Sequence, residues 1–400
     1  MKWEKVRLGD CCEITSSKRI FFSEYVDLGI PFFRSKEIIE LNRGEKISEP
    51  LYISAKKYDE IKSKYGIPQE GDMLLTSVGT IGVPYIVKSS DTFYFKDGNL
   101  TWFRNFNKRL LSHFLFYWIG SDEGYGVLNN STIGSSQKAL TISSLKQITI
   151  SLPPVSIQKN IVNILSNYDA LIENNQKQIK LLEEAAQRLY KEWFVDLHFP
   201  GHENTPIVDG LPEGWKNGNI ASIAFDNGKH VKKTDRDKYE CYLPIDSLPK
   251  KSLAYLSVKQ TELAESSLIS FEGGDILFGA MRPYFHKVVV ARHHGLTRTT
   301  CFVINSLKKA QWSYLLMVMF SEKAINFATT VSVGTTMPYV RWEDFIKMPI
   351  IIPSDDICEK FNKIISLLIV KVNKLAEKTE LLQEARERLL PKLMNGEIEV

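Results

Sequence analysis

Apolar residues follow a short-period pattern through most of the chain. Between Asp72 and Val87, and again between Asp275 and Val290, short alternating or apolar runs are broken by turn-forming residues. Runs of this kind predict short strands joined by turns, with a few helices. The pattern fills residues 1–152 and 214–352, so we expect each of these segments to fold as a mixed α/β globule.

Two other stretches repeat apolar residues in alternating steps of three and four, which is typical of a helix with one apolar face. The first stripe consists of Ile157, Ile161, Ile164, Tyr168, Leu171, Asn175, Ile179, Leu182, Ala186, Leu189 and Trp193. The second consists of Ile357, Phe361, Ile364, Leu368, Val372, Leu375, Thr379, Leu382, Arg386, Leu389 and Leu393. Two heptad stripes of equal length in one chain predict two long helices that pair as an antiparallel coiled coil. Helices buried in ordinary globular cores are the alternative.

An internal repeat organises the chain. Gly134 matches Gly334, Pro153 matches Pro353, and the run Leu181 to Ala185 matches Leu381 to Ala385, all with an offset of 200 residues. A repeat at half the chain length indicates two copies of one structural unit. We therefore predict target-binding domains at 1–152 and 214–352, spacer helices at 153–196 and 353–400, and a linker at 197–213.

Charge distinguishes the predicted segments more than the formal net charge of +4 does. Residues 214–352 hold 18 Lys and Arg against 12 Asp and Glu, and residues 1–152 hold 20 against 17. A basic surplus on both globules is compatible with a polyanionic partner, although a mild surplus of lysine is also common on ordinary protein surfaces.

Several function classes lack their sequence signatures. The chain has no phosphate-binding P-loop, no Gly-x-Gly-x-x-Gly turn after a strand and no Asn/Asp-Pro-Pro-aromatic motif. His198 and His202 are separated by Pro200 and Gly201, which prevent the helix that would place both rings on one face. We predict no catalytic residues, no cofactor and no metal. The start lacks an apolar signal stretch and no apolar run reaches membrane length, which predicts a cytoplasmic protein without membrane contact.

Basic and hydroxyl residues at glycine turns are the candidate ligand contacts. Lys, Arg and backbone amides suit phosphates, while Ser, Thr and Arg also suit base edges in the DNA major groove. In the first copy the predicted DNA-binding residues are Lys18, Arg19, Ser77, Thr80, Tyr85, Ser136 and Lys138. In the second copy they are Lys229, Lys232, Lys233, Arg282, Tyr284, His286, Arg292 and Thr336. Plain hairpin turns and solvated charge runs remain the alternative for each of them.

The order of these motifs resembles the specificity subunit of type I restriction-modification systems. The resemblance rests on Gly71 to Leu75 with the Gly79 to Gly82 turn, Gly134 to Lys138, Ile148 to Gln158, and the repeated Leu-Leu-Glu-Glu-Ala helix. It implies two target recognition domains joined by helices that form an antiparallel coiled coil and act as a ruler. It also implies two methyltransferase (modification) subunits as partners, with restriction/translocase subunits in the full complex.

The resulting expectation is a non-catalytic subunit that recognises double-stranded DNA. Each globule would read one half of an asymmetric, interrupted site, and the helices would set the spacing. The second copy departs from the pattern at Arg282 to Tyr284 and at Ser354 to Asp356. A coiled-coil scaffold that binds only proteins is the main alternative, and a nuclease or methyltransferase with its own active site is another.

Overall fold

The computed structural model describes residues 3–44, 47–134 and 138–400. The chain divides into two compact units, one made of residues 1–170 and 383–400 and the other of residues 171–382. Within the described residues, no helix has both the length and the apolar composition needed to cross a membrane.

The first unit begins with a mixed globule of short strands and helices. Its strands are β1 (Glu4–Arg7), β2 (Glu13–Thr15), β3 (Tyr25–Val26), β4 (Ile30–Phe33), β5 (Leu51–Ile53), β6 (Met73–Thr76), β7 (Pro84–Ile86), β8 (Tyr94–Phe95), β9 (Leu100–Arg104) and β10 (Thr149–Leu152). Its shorter helices are α1 (Ser35–Asn42), α2 (Ala55–Tyr65), α3 (Ser112–Ile119), α4 (Asp122–Asn130) and α5 (Ile142–Gln147). The long helix α6 (Val155–Tyr190) starts in this unit.

Two four-stranded sheets form this globule, with the orders β2-β9-β6-β7 and β3-β5-β4-β8. All four residues of the central strand β6 are buried, which explains its continuous apolar run. A separate antiparallel pair, β1 with β10, leads into α6. The core beneath the first sheet contains Phe103, Phe114 and Trp118, and the start of α6 packs on it through Ile161 and Leu165.

The second unit repeats this plan. Its strands are β11 (Ile207–Val208), β12 (Leu211–Pro212), β13 (Lys216–Asn219), β14 (Ala224–Asp226), β15 (Lys229–Val231), β16 (Cys241–Tyr242), β17 (Leu268–Phe271), β18 (Ile276–Gly279), β19 (Val288–Val290), β20 (Gly295–Arg298), β21 (Cys301–Ser306) and β22 (Pro349–Ile352). Its helices are α7 (Trp312–Met319), α8 (Glu322–Thr330), α9 (Trp342–Phe345) and most of the long α10 (Asp355–Met394).

The sheets of this unit have the orders β14-β21-β18-β19 and β15-β17-β20-β16, with β13 paired to β22 ahead of α10. Helices α4 and α8 show the repeat at atomic detail. Ser121 Oγ accepts a hydrogen bond from the Gly124 amide at 3.2 Å, and Ser321 Oγ accepts one from the Ala324 amide at 3.2 Å. Each serine thereby satisfies one free amide of the first helical turn, which fixes where the helix begins.

The two long helices pair antiparallel within each unit. In the first unit Ile161 and Leu165 of α6 share a core with Leu390 and Leu393 of α10. In the second unit the ring of Trp193, just beyond α6, lies 5.6 Å from that of Phe361 in α10. The predicted fold class, two similar α/β globules with two long antiparallel helices, is therefore confirmed.

Part of the predicted stripe is wrong. Leu171 and Ile364 are 44% and 42% exposed, whereas their neighbour Ile172 is half-buried and their neighbour Ile365 is fully buried. Leu165 similarly takes the buried position that the stripe gave to Ile164. Two adjacent apolar residues occur at each of these points, so the spacing alone did not determine which one faces the partner helix.

The second globule is also fastened to α6 by a buried carboxylate. Glu183 Oε1 accepts hydrogen bonds from Ser252 Oγ at 2.8 Å and from the Leu253 amide at 2.7 Å. Burial raises the pKa of Glu183 to about 7, and the bonds it accepts from Ser252 and the backbone oppose that rise. Because Oε1 accepts both of these bonds, Oε2 can carry a proton.

Candidate nucleic-acid interface

In the first unit, two loops meet at one edge of the sheet that contains β6. An antiparallel bridge from Val78 to Ala139 joins the turn after β6 to the loop after α4, and a second bridge, Ile133 to Ala139, closes that loop on itself. Lys138 directly precedes the bridged Ala139, Thr80 lies two residues after Val78, and both side chains are exposed. Gly79 and Gly82 have φ of 78° and 83°, the left-handed region that favours glycine. Ser136, also predicted to bind DNA, lies outside the described residues.

Two other predicted residues of the first copy are engaged inside the protein. Ser77 is buried and its Oγ lies 2.6 Å from Thr101 Oγ1. Tyr85 is buried and its hydroxyl donates a hydrogen bond to Asp91 Oδ2 at 2.7 Å; burial and this carboxylate raise the tyrosine pKa. Both side chains hold the local backbone in place, so a direct DNA contact by either would require its present hydrogen bond to break.

Lys18 and Arg19 lie together at a separate place on the first globule. Lys18 is exposed, with its Nζ 5.3 Å from the centre of the Tyr65 ring. Arg19 Nε donates a hydrogen bond to Asp97 Oδ2 at 2.8 Å, yet two thirds of the side chain is exposed. Both cations are accessible to an anionic ligand.

The second unit pairs the equivalent loops. Met281 and Val333 both bridge to Tyr339, and the Arg282 amide donates a hydrogen bond to the Pro338 carbonyl at 2.7 Å. The Arg282 guanidinium also reaches the Thr336 carbonyl, at 3.4 Å. The structure thus brings together Arg282 and Thr336, two residues that the sequence alone could not place side by side.

The turn that follows Arg282 is held at both ends by unusual backbone conformations. Arg282 and His286 have φ of 50° and 52°, a left-handed conformation that side chains other than glycine rarely adopt. Between them Pro283–Phe285 forms a short 3-10 turn. Tyr284 is at its tip and is 49% exposed. Such conformations persist only where the surrounding structure stabilises them. They cluster at ligand-binding sites.

His286 and Arg292 lie inside the second unit. His286 is buried and its Nε2 is 3.0 Å from the Phe320 carbonyl, and burial lowers its pKa. The Arg292 side chain is only 7% exposed; it pairs with Glu380 at 3.2 Å and lies over the Tyr255 ring. In this structure both residues support the fold, and neither presents a free charge to a ligand.

The second unit also presents exposed lysines outside the paired loops. Lys229, Lys232 and Lys233 are exposed on β15 and the turn after it, and Lys233 Nζ lies 3.6 Å from Glu265. Sequence reasoning missed Lys250, whose Nζ lies 4.5 Å from the centre of the Phe285 ring, next to Tyr284. The Lys250-Lys251 pair was the available signal. In the described part of the chain, no group of three or more His, Cys, Asp or Glu side chains could hold a metal ion.

The fold and its loops define a class of protein, a duplicated α/β binding protein. The loops present cations, hydroxyl groups and the half-exposed Tyr284. A family model described as the type I restriction modification DNA specificity domain matches residues 1–184 and 212–383. Because these matches span most of the chain, it belongs to that family. The predicted resemblance is therefore confirmed.

Similar proteins agree with this family. The type I restriction enzyme MjaIX specificity subunit of Methanocaldococcus jannaschii is 27% identical over 100% of this chain and 94% of its own length. The MjaVIII specificity subunit of the same organism is 24% identical, over 100% of this chain and 93% of its own. Among solved structures, the type I restriction-modification S subunit from M. genitalium matches with a TM-score of 0.61 at 16% identity, covering 98% of this chain and 96% of that one. That structural likeness supports the fold.

Proposed function

We propose that each globule reads one half of a bipartite site on double-stranded DNA. The observation that carries this proposal is that the sheets containing β6 and β18 have the same strand order, while the loops that follow these two strands differ. The Gly79–Gly82 turn of one copy corresponds to the rigid Pro283–Phe285 turn of the other, and both meet a loop that follows an equivalent helix. Two readers with different contact residues would recognise two different half-sites.

The exposed residues are the best supported contacts within this proposal. Lys18, Arg19, Lys138, Lys229, Lys232 and Lys233 are accessible cations suited to phosphates. Arg282, Thr80, Thr336 and Tyr284 lie on the paired loops, where they are suited to base edges. Ser77, Tyr85, His286 and Arg292 would act by holding the loops in position.

The long helices are proposed to set the distance between half-sites and to bind two copies of one partner. Glu184 and Arg188 form an ion pair on α6 at 3.8 Å, and Glu384 and Arg388 form the same pair on α10 at 3.5 Å. A surface that recurs with the internal repeat is suited to two identical subunits. We assign these to methyltransferase subunits that carry the active site, with restriction/translocase subunits joining the full complex in the cytoplasm. The chain itself would catalyse nothing.

Methylation mapping tests the whole proposal. The chain is produced together with a methyltransferase subunit of the same system in a methylation-free bacterial host, and the modified motif is read by long-read sequencing. We expect one interrupted motif. Replacing residues 1–152 with those of a relative should change one half of that motif and leave the other half intact. A stable complex that methylates no motif would favour the protein-binding scaffold instead.

Two single substitutions would show which globule reads which half-site. Arg282→Ala should relax or abolish recognition of one half-site, because an arginine that contacts a guanine edge contributes about 1–3 kcal/mol of discrimination. Thr80→Ala, on the corresponding turn of the other copy, should affect the other half-site. Equal loss of both half-sites from Arg282→Ala would refute its assignment as a base reader.

A further inference from the structure

The pairing register of the long helices reveals an asymmetry at the centre of the coil. Trp193 faces Phe361, and Ile179 shares a small apolar cluster with Val372, Leu375 and Ala376. Antiparallel helices advance in opposite directions, so each step back along α6 is a step forward along α10. Fourteen residues inward from Trp193 and Phe361 are Ile179 and Leu375, and four residues further are Asn175 and Thr379.

These four side chains form two neighbouring layers of different character. Ile179 and Leu375 share the apolar cluster, and the pairing register sets Asn175 opposite Thr379 as a polar layer. All four are buried. Thr379 Oγ1 donates its proton to the Leu375 carbonyl at 2.7 Å, so its lone pairs stay available to a donor. Asn175 Nδ2 is buried and makes no hydrogen bond within the described part of the chain.

The internal repeat relates the two layers to each other. An offset of 200 residues turns Asn175 into Leu375 and Ile179 into Thr379. At these two positions, therefore, the polar and apolar residues have opposite order in the two helices. When α6 pairs with α10, the polar Asn175 lies opposite the polar Thr379, and the apolar Ile179 lies opposite the apolar Leu375.

Pairing of like helices between two copies of the chain would mismatch both layers. Two α6 helices in the same register would bury Asn175 against Ile179 twice, and two α10 helices would bury Thr379 against Leu375 twice. A buried amide or hydroxyl without a polar neighbour is unfavourable, and one polar core residue can decide which helices pair.

A second pair of residues, in the first unit, also favours pairing of α6 with α10 over pairing of like helices. Arg386 of α10 forms an ion pair with Asp169 of α6 at 2.6 Å, and Asp169 also accepts a hydrogen bond from the Tyr117 hydroxyl at 2.7 Å. In a pair of α10 helices Arg386 would face the position of Leu368 and would lose Asp169. Both features penalise pairing of like helices.

We propose that the polar layer is a pairing code by which α6 selects α10 and rejects association of two chains through like helices. A duplicated chain needs such a code, because its two helices otherwise present the same heptad positions to each other and to a second copy. The code goes beyond DNA recognition and does not depend on it.

Exchange of residues between the two helices tests the code at constant composition. In the full-length double variant Asn175→Leu/Leu375→Asn, both polar residues lie on α10 and both apolar residues on α6. The variant Ile179→Thr/Thr379→Ile does the reverse. In each variant, pairing of unlike helices is mismatched and pairing of like helices is matched. The fourfold exchange, which combines both, restores matched pairing of α6 with α10 and is the control.

Oligomeric state and chain exchange are the readouts. Light scattering after size exclusion should show a dimer fraction about tenfold higher for both double variants than for the wild type at equal concentration, the effect of one uncompensated buried polar group. The fourfold exchange should match the wild type. Two differently tagged copies of each double variant should co-purify. Spin labels at the exposed position Lys177 of the two chains should then lie close together, which would show that like helices are adjacent in the dimer.

Three results would overturn the code. Double variants that keep the oligomeric state and thermal midpoint of the wild type would show that the layers do not select partners. A fourfold exchange that dimerises like the double variants would show that matching is irrelevant. If the double variants unfold, the fourfold exchange must remain folded; equal unfolding of all three would refute the proposed facing of Asn175 and Thr379.

Discussion

The globule that contains β2 to β9 and the globule that contains β14 to β21 share one sheet and differ in the other. The first sheets have matching orders, β2-β9-β6-β7 and β14-β21-β18-β19. The second sheets do not match: β5 pairs with β3 and β4, whereas β17 pairs with β15 and β20. Helices α1 and α2 lie between β4 and β6, while the fully described stretch between β16 and β17 contains no α-helix. The duplicated protein has kept the sheet next to the long helices and altered the outer one.

Two buried aspartates test whether the two copies of the shared sheet are equivalent. Asp275 lies directly before β18, and Asp72 lies directly before β6. Asp275 accepts hydrogen bonds from Asn227 Nδ2, Asn305 Nδ2 and the Glu272 amide. Its counterpart Asp72 accepts from Trp102 Nε1 and the Gln69 amide, and burial raises its pKa.

Removing Asp275 should therefore cost more than removing Asp72. We expect Asp275→Ala to lower the free energy of unfolding by about 4 kcal/mol and Asp72→Ala by about 2 kcal/mol, because three donors lose their acceptor in the first variant and two in the second. Urea denaturation followed by hydrogen exchange would locate each loss. The exposed Asp237→Ala is the control, and equal losses for the two buried aspartates would contradict the ranking.

The repeat places Glu183 where the other copy has Gln383, which predicts a pH dependence in one copy only. The folded-state pKa of Glu183 is about 7, above the ordinary value of 4.5. The native state thus holds this proton more tightly than the unfolded state. The contribution of Glu183 to stability should be greatest below pH 4.5 and should fall by about 3 kcal/mol as the pH rises from 4.5 through 7.

Glu183→Gln is the matched variant for that prediction. The amide oxygen can accept the same bonds from Ser252 and Leu253, so this part of the pH dependence should vanish while stability at low pH is kept. Denaturation midpoints between pH 5 and 8 are the measurement. An unchanged pH profile in the variant would show that Glu183 is not the titrating group.

The entrance to α6 is held more firmly than the entrance to α10. Gln158 is fully buried; its Oε1 accepts from the Leu111 amide, and its Nε2 donates to the carbonyls of Arg109 and Pro153. The repeat places Cys358 at this position in α10. Gln158→Cys should cost about 2 kcal/mol, because these backbone groups lose their partner. Cys358→Ala should cost less, which thermal denaturation of both variants would check.

The smallest expected effect concerns the exposed lysines of the second globule. Replacing both Lys232 and Lys233 by Ala should weaken DNA binding uniformly across sequences and reduce the slope of log affinity against log salt by up to about two. Fluorescence anisotropy at several salt concentrations is the measurement, and the exposed Lys323→Ala is the control. A change in half-site preference would instead assign these lysines to base reading.

Long-range pairing limited what the sequence could predict. The repeat and the long helices follow from periodicity in the chain itself, but Leu171 and Ile172 are both apolar and only packing separates them. Strand β16 has two residues, too few for any period, and its partner β20 lies more than fifty residues away. The burial of Arg292 likewise depends on Tyr255 and Glu380, which are distant in sequence.

The turn between Arg282 and His286 also bears on how such proteins diversify. The two left-handed residues and Pro283 constrain its path, whereas the Tyr284 side chain at the tip is half exposed. A substitution at the tip therefore changes what the loop touches while the loop keeps its shape. New binding preferences can then arise by single replacements that leave folding intact, so that recognition evolves faster than architecture.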